Sequence, residues 1–148
     1  MNWFLKKFYE LSLDEFHDIL QLRIDIFVVE QNCPYPELDS KDKLAFHFFC
    51  KNKEGKIIAY TRFFKAGDYY TEAALGRVVV HAAYRNKKIG VQLLEKTLLE
   101  MEKILGKVII KIGAQTHLKQ FYGSFNFQQI GVEYIEDGIP HIYMIKRS

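Results

Sequence analysis

Val78-Val79-Val80-His81-Ala82-Ala83-Tyr84-Arg85-Asn86-Lys87-Lys88-Ile89-Gly90-Val91-Gln92-Leu93-Leu94 is the stretch on which the reading of this chain turns. Three consecutive β-branched residues predict a buried strand. A short turn rich in Arg and Lys follows. Apolar residues then recur at Leu94, Leu98, Met101 and Leu105, which is helical spacing. A strand, a basic turn and a helix start together form an anion site, because the first N–H groups of a helix lack internal partners and the helix dipole adds positive charge there. Gly90, with no Cβ, lets a ligand come close to the backbone. A phosphate or pyrophosphate fits such a place. The spacing is neither a Walker A loop nor Gly-x-Gly-x-x-Gly, and a merely solvated basic turn at a helix start fits the same residues equally well.

Working outward, 148 residues suffice for one domain with a real core, 1–148. Apolar residues make up 49% and charged residues 26%, the balance of an ordinary globular protein. Twelve Phe and nine Tyr are enough for a core and a lined pocket. A net charge of +3 is too small to argue for nucleic acid, which is excluded as the expected partner. No apolar run approaches the roughly 18 residues of a membrane span, and Met1–Tyr9 lacks the apolar segment of a signal peptide. Cys33 and Cys50 form no Cys-x-x-Cys pair, so a reducing cytoplasm is the simplest home. No cluster of His, Cys and carboxylates has zinc spacing, and no metal is expected.

Trp3–Tyr9 reads as a first strand. Ser12-Leu13-Asp14-Glu15 fits a capping box and opens a helix with Phe16, Leu20, Ile24 and Phe27 on one stripe, ending near Gln31-Asn32 before Pro34 and Pro36. Leu44–Cys50 and Lys56–Phe64 form a hairpin around Asn52–Gly55. Thr71–Val80 leads into the central turn, and the helix from Lys88 is stopped by Gly106. Lys107–Gly113 is a buried strand that should run parallel to Thr71–Val80, since a strand–helix unit separates them. Thr116–Tyr122 is a short helix, Phe125–Ile130 and Glu133–Ile135 are short strands, and Ile139–Ile145 is a last strand. Pro140 argues for an edge position or an irregularity there, and at an edge, pairing with a second copy would give a homodimer. The order β-α-β-β-β-α-β-α-β-β is an α/β sandwich: a mixed central β-sheet with helices on both faces.

At this level the central stretch resembles motif A of the GNAT superfamily of N-acetyltransferases. Arg85 and Gly90 match it, Lys88 stands where a glycine is usual, and Asn86 and Ala82 replace a common Gly and Pro. Leu22-Arg23, the run Phe27-Val28-Val29-Glu30-Gln31-Asn32-Cys33-Pro34-Tyr35-Pro36-Glu37, Asp39, Asp42, His47, Ala59–Arg62, Gly76-Arg77-Val78, Ala114-Gln115, Phe121-Tyr122, Phe125 and Glu136–His141 resemble the ElaA-like branch, in order and over most of the chain. The resemblance implies the GNAT (acyl-CoA N-acyltransferase) fold, with the fourth and fifth strands splayed. It implies acetyl-CoA as cosubstrate, its pantetheine paired with the main chain of Val78 and Val80, with Val79 between them. The pyrophosphate would sit on the amides of Arg85, Asn86, Lys87, Lys88, Ile89 and Gly90 and at the helix start by Val91. Gln115 stands where relatives place an Asn that bonds the pantetheine.

The implied reaction is direct acetyl transfer to a primary amine of a small molecule or a peptide. At pH 7 only about one alkylamine in 10³ is neutral, the oxyanion needs a main-chain donor such as Val78 or Val79, and the leaving thiolate needs an acid. Tyr122 matches the family's acid, and its competing role is a core aromatic. Candidate bases are Glu30, His47, Glu72, His81, Glu136 and His141. His47 and Glu30 are preferred, because they lie in branch-specific segments, and ordered water alone is the other possibility. Arg23, Arg62 and Arg77 with nearby acids suggest an ion network, structural or pocket-lining. Glu37, Asp39 and Asp42 either attract a cationic amine or are simply solvated. Two other readings share these residues: a catalytically silent CoA-binding module, and a transferase of longer acyl chains.

Overall fold

The computed structural model describes residues 1–147. Ten main elements follow in the order β1 (Asn2–Lys7), α1 (Leu13–Ile24), β2 (Phe46–Lys51), β3 (Ile57–Phe64), β4 (Ala73–Val80), α2 (Ile89–Leu105), β5 (Ile110–Gln115), α3 (Lys119–Gly123), β6 (Gln128–Glu136) and β7 (Ile139–Lys146). The strands make one seven-stranded sheet, ordered β1-β2-β3-β4-β5-β7-β6. Every neighbouring pair is antiparallel except β4 and β5, which run parallel as the strand–helix–strand order requires.

The capping box forms as read. Ser12 Oγ accepts from the Glu15 N–H at 3.0 Å, and Glu15 Oε1 accepts from the Ser12 N–H at 2.9 Å. The face that α1 buries is Glu15, Ile19, Leu22 and Arg23, one step around from the expected stripe. Ile19 and Leu22 pack on Phe49, Ile57, Tyr60 and Val79 across β2, β3 and β4. On the opposite face α2 packs Leu94 and Met101 against Phe63, Leu75, Ile112 and Met144, and Ile89 and Leu93 against Phe48 and Ala59. Each such side chain contributes about 1.5–3 kcal/mol by leaving water. Gly106 ends α2 at φ 79°, a backbone angle that glycine takes without strain.

Three expectations are corrected. The last six residues of the first helical run, Asp25–Glu30, wind as a π-helix rather than continuing α1. Gln128–Glu136 is one strand with a register shift between Ile130 and Tyr134, not two strands, and Phe125 lies before it. Finally, β7 is interior, flanked by β5 and β6, so the edges are β1 and β6. Pro140 is tolerated because it pairs only with Ile135 of β6, one residue before the ladder with β5 begins at His141. No helix among the described residues is long and apolar enough to cross a membrane. Cys33 and Cys50 are both free and buried.

Candidate active site

The parallel ladder between β4 and β5 consists of two residue pairs, Ala73 with Ile110 and Ala74 with Lys111. Beyond them the strands part. A cavity of about 400 Å³ opens between Leu75–Val80 on one side and Ile112–Gln115 on the other. A bulge in β4 marks the parting: Tyr60 pairs with Val79 but Arg62 with Gly76, and Arg77 takes φ 53°. The His81 N–H donates to Ile58 O at 2.8 Å, toward β3. Successive residues of a strand turn their main-chain groups to opposite sides. The N–H and C=O of Val80, and the C=O of Val78 two residues earlier, therefore face the gap, where no strand pairs with them, while the N–H of Val78 is set by the left-handed Arg77 before it.

Tyr122 of α3 reaches the cavity from below. Its residue is 6% exposed, and its ring packs edge-on to Phe121 and Phe127. Its hydroxyl finds no hydrogen-bond partner among the described residues. Burial pushes the phenol well above its ordinary range, so it stays protonated. Gln115, at the end of β5, also borders the cavity and donates through Nε2 to Gln31 Oε1 at 3.1 Å.

The turn into α2 is unusual in its backbone. Asn86 (φ 63°) and Lys88 (φ 60°) are both left-handed, a conformation Asn tolerates and Lys adopts at a cost. Gly90 has an ordinary φ, and a Cβ there would meet Val80 and Phe121 at 3.8 and 3.9 Å, normal contacts. Nothing in the protein itself requires glycine at 90. Ile89 is buried, so only its main chain is available outward. Arg85 borders the cavity, whereas Asn86 to Val91 lie beside it and do not line it.

The preferred bases fare differently from expectation. His47 is fully buried and does not border the cavity. Its Nε2–H donates to Asp42 O at 2.9 Å, and its Nδ1 accepts from the Tyr60 hydroxyl at 2.7 Å. Burial lowers its pKa, so it is a neutral core group with no nitrogen left for a substrate. Glu30 does border the cavity, but its carboxylate is gripped by both Nη atoms of Arg85 at 2.8 and 2.6 Å, a hydrogen-bonded pair that lowers its pKa. It anchors Arg85 and is a weak proton acceptor. Glu72 and His81 lie outside the cavity, while Glu136 and His141 line it.

The acidic loop is neither solvated nor free to attract an amine. Glu37 and Asp42 are buried. Glu37 Oε2 accepts from Arg23 Nε at 2.6 Å and Arg77 Nε at 2.8 Å, and Glu37 Oε1 from the Tyr35 hydroxyl. Asp42 Oδ1 accepts from Arg23 and Arg62, and both Asp39 oxygens accept from Arg62. Arg77 and Tyr35 bring this network to the cavity wall. Tyr35, Cys33 and His117 line the cavity too and were not expected there. The first two lie within the Phe27–Glu37 run, which was the only signal for them. Cys33 Sγ donates to Asp137 O at 3.1 Å and ties this loop to the β6–β7 turn. No group of three metal-ligating side chains exists among the described residues.

Comparison with known proteins agrees with this architecture. Protein ElaA of Escherichia coli (strain K12) is 41% identical over 138 residues, 93% of this chain and 90% of that one. The crystal structure of E. coli ElaA superposes with a TM-score of 0.91 at 37% identity, over 99% of this chain and 100% of that. An acyl-CoA N-acyltransferase from Pseudomonas aeruginosa gives 0.93 at 35% identity, over 98% of each. An aminoglycoside 6′-N-acetyltransferase complexed with coenzyme A shares the fold at a TM-score of 0.70 and 14% identity, over 97% of this chain and 96% of that. The model of the acetyltransferase (GNAT) domain matches residues 27–148. With the domain model matched over residues 27–148 and relatives matched along nearly the whole chain, this protein belongs to the GNAT acetyltransferase family.

Proposed function

We propose that the chain is an acetyl-CoA-dependent N-acetyltransferase that moves an acetyl group directly to a primary amine of a small molecule or a peptide. One observation carries this: β4 and β5 separate after two residue pairs, leaving the main chain of Val78 and Val80 facing a cavity that also holds an unbonded, protonated phenol. An extended pantetheine arm can add to β4 as a strand would. The pyrophosphate then falls at Arg85 to Gly90, where the turn amides and the start of α2 supply donors. The absence of any internal need for glycine at 90 supports close approach of a ligand there. Glu30 holds Arg85 at this mouth, and Gln115 can exchange Gln31 for an amide of the arm.

In the reaction a neutral amine attacks the thioester carbonyl carbon. The C–N bond forms and the carbonyl oxygen becomes an oxyanion. The N–H of Val78, set by the left-handed Arg77 before it, is the donor for it. The C–S bond then breaks, the thiolate takes the Tyr122 proton, and the surplus proton on the new amide nitrogen restores the phenol. Burial keeps this phenol in its proton-donating form, and collapse of the tetrahedral intermediate, not the acidity of the phenol, drives the transfer to sulfur. The family likeness and the coenzyme A complex of the fold neighbour support this reading, and the two free buried cysteines support a cytoplasmic setting.

The test is thiol release from acetyl-CoA with polyamines, amino acids, aminoglycosides and lysine peptides, alongside calorimetric titration with CoA. Turnover of a primary amine with saturable CoA binding is expected. No CoA binding at millimolar concentration overturns the reading. Binding without thiol release across the panel would instead mark a silent CoA-binding module.

A further inference from the structure

The proton of the acceptor is the part of this chemistry without an owner. Most charged side chains that line the cavity are already engaged: Glu30 with Arg85, and Arg77 with Glu37. His141 is not. It sits on β7 opposite Gln115, at the end of β5 where the cavity opens, and lines the cavity while only 8% exposed. Its Nδ1 is 2.7 Å from Ile139 O. A carbonyl oxygen can only accept, so Nδ1 carries the hydrogen and the neutral ring keeps its lone pair on Nε2. That Nε2 lies 3.6 Å from Glu136 Oε2, too far for a hydrogen bond but close enough for an ion pair. The ring stacks on Tyr134 with centroids 5.7 Å apart, which fixes its plane. One nitrogen is committed to the main chain, the other is free, and a carboxylate stands beside the free one.

Resting on the N-acetyltransferase reading, we propose that His141 Nε2 takes the proton of an alkylammonium acceptor, with Glu136 as counter-ion of the imidazolium. The ammonium N–H bond breaks and an N–H bond forms at Nε2. The neutral amine attacks the thioester and forms the C–N bond. When C–S breaks, Tyr122 protonates the sulfur, and the second proton on the new amide nitrogen restores the Tyr122 phenol. The imidazolium returns its proton to water, so each turnover yields acetamide, CoA thiol and one proton. The groups around His141 favour this order. Glu136 and Asp137 come from the β6–β7 turn, Tyr134 from β6 and Tyr122 from α3, while Arg77 across the cavity is neutralised by Glu37. The acceptor class that needs this device is an amine charged at neutral pH, and not one already neutral.

The test compares wild type with His141→Gln on the alkylamine turned over best in the panel, reading kcat/KM from pH 6 to about 10, the upper bound set by the ordinary alkylamine pKa. General-base loss predicts a defect of about 10²–10⁴ at pH 7. The defect should shrink about tenfold per pH unit toward the pKa of the amine, because the variant must wait for amine that is already neutral. CoA affinity should be unchanged. A defect constant across pH, as a structural role gives, or no defect, overturns the proposal. Glu136→Gln, at an exposed position, guards against a variant that fails to fold. It should lower kcat/KM for the alkylamine at pH 7 with CoA affinity unchanged, and an unchanged kcat/KM overturns the counter-ion role. Wild-type protein that binds CoA but acetylates no alkylamine overturns the His141 assignment, whereas failure to bind CoA overturns the underlying reading.

Discussion

Replacing Tyr122 by phenylalanine removes one oxygen from the wall of the cavity and nothing else. The ring keeps its edge-on contacts with Phe121 and Phe127 at 5.2 and 6.0 Å. The hydroxyl has no partner among the described residues, so no buried donor or acceptor is left behind and stability should change by less than about 1 kcal/mol. Chemistry should change far more. A positioned acid contributes about 10²–10⁴ to rate, or roughly 3–5 kcal/mol at 1.36 kcal/mol per tenfold. The expected result is therefore a large fall in kcat with an unchanged melting temperature and unchanged CoA affinity. The wild-type rate should show no alkaline limb from Tyr122 below the ordinary phenol range near ~10, since burial raises that pKa and preserves the donor form. The assay is thiol release at saturating acetyl-CoA, repeated as a single turnover so that slow product release cannot hide the chemical step. A single-turnover rate within about threefold of wild type, with intact CoA binding, refutes the role of Tyr122 as acid.

Lys88→Gly should relieve a left-handed lysine at φ 60°, a cost of about 1–2 kcal/mol, against about 0.5–1 kcal/mol of added freedom in the unfolded chain. A net gain of up to roughly 1 kcal/mol, read by urea unfolding, is expected, together with weaker CoA binding at low salt that converges on wild type as salt rises. Glu15 carries a pH prediction. Burial pushes its carboxyl up, but the Ser12 N–H, Lys6 and Lys51 outweigh it and bring the pKa from 4.5 to about 2. A folded-state pKa below the unfolded value means stability that is present in full above about 4.5 and lost as pH falls from there toward 2. The stability gap between wild type and Glu15→Gln should be at most about 3 kcal/mol at neutral pH and should close over that acid range in chemical denaturation. Arg23→Met leaves Glu37 and Asp42 buried with fewer cations and should cost about 3–5 kcal/mol, seen as a lower urea midpoint.

What the sequence made legible was local. Val78–Val80 followed by helical spacing from Leu94 defines a strand and a helix by periodicity alone, and the handedness of the connection makes β4 and β5 parallel. Ser12 and Glu15 announce their cap because both partners lie within one turn. What was not legible depends on distant partners. His47 and His141 are the same residue type in similar apolar strands. One spends both nitrogens on Asp42 and Tyr60, the other spends one on Ile139, and no spacing rule separates them. Glu37 and Asp42 read equally well as solvated loop acids until Arg23, from a helix 14 and 19 residues earlier, is folded against them. The wider winding of Asp25–Glu30 changes the helical period, and the shift in β6 between Ile130 and Tyr134 places two extra residues against β7. A pattern with fixed period cannot record that.

The ion network explains how the reacting wall of the cavity holds its shape. Arg23, Arg62 and Arg77 against Glu37, Asp39 and Asp42 make a set with no net charge. Burying such a set is no efficient route to stability, since well-packed apolar groups often do as well or better. Apolar packing, however, has no direction. The segment Cys33–Asp39 has no regular secondary structure to orient it, and Arg77 stands in a left-handed conformation inside a strand, which costs about 1–2 kcal/mol. Guanidinium–carboxylate hydrogen bonds are directional. By bonding Arg23 of α1 and Arg77 of β4 to the same oxygen of Glu37, the network fixes the bulge, the loop and the helix to one another. The bulge decides which way the N–H of Val78 points, so charges buried on the α1 face set the geometry of the donor in the gap.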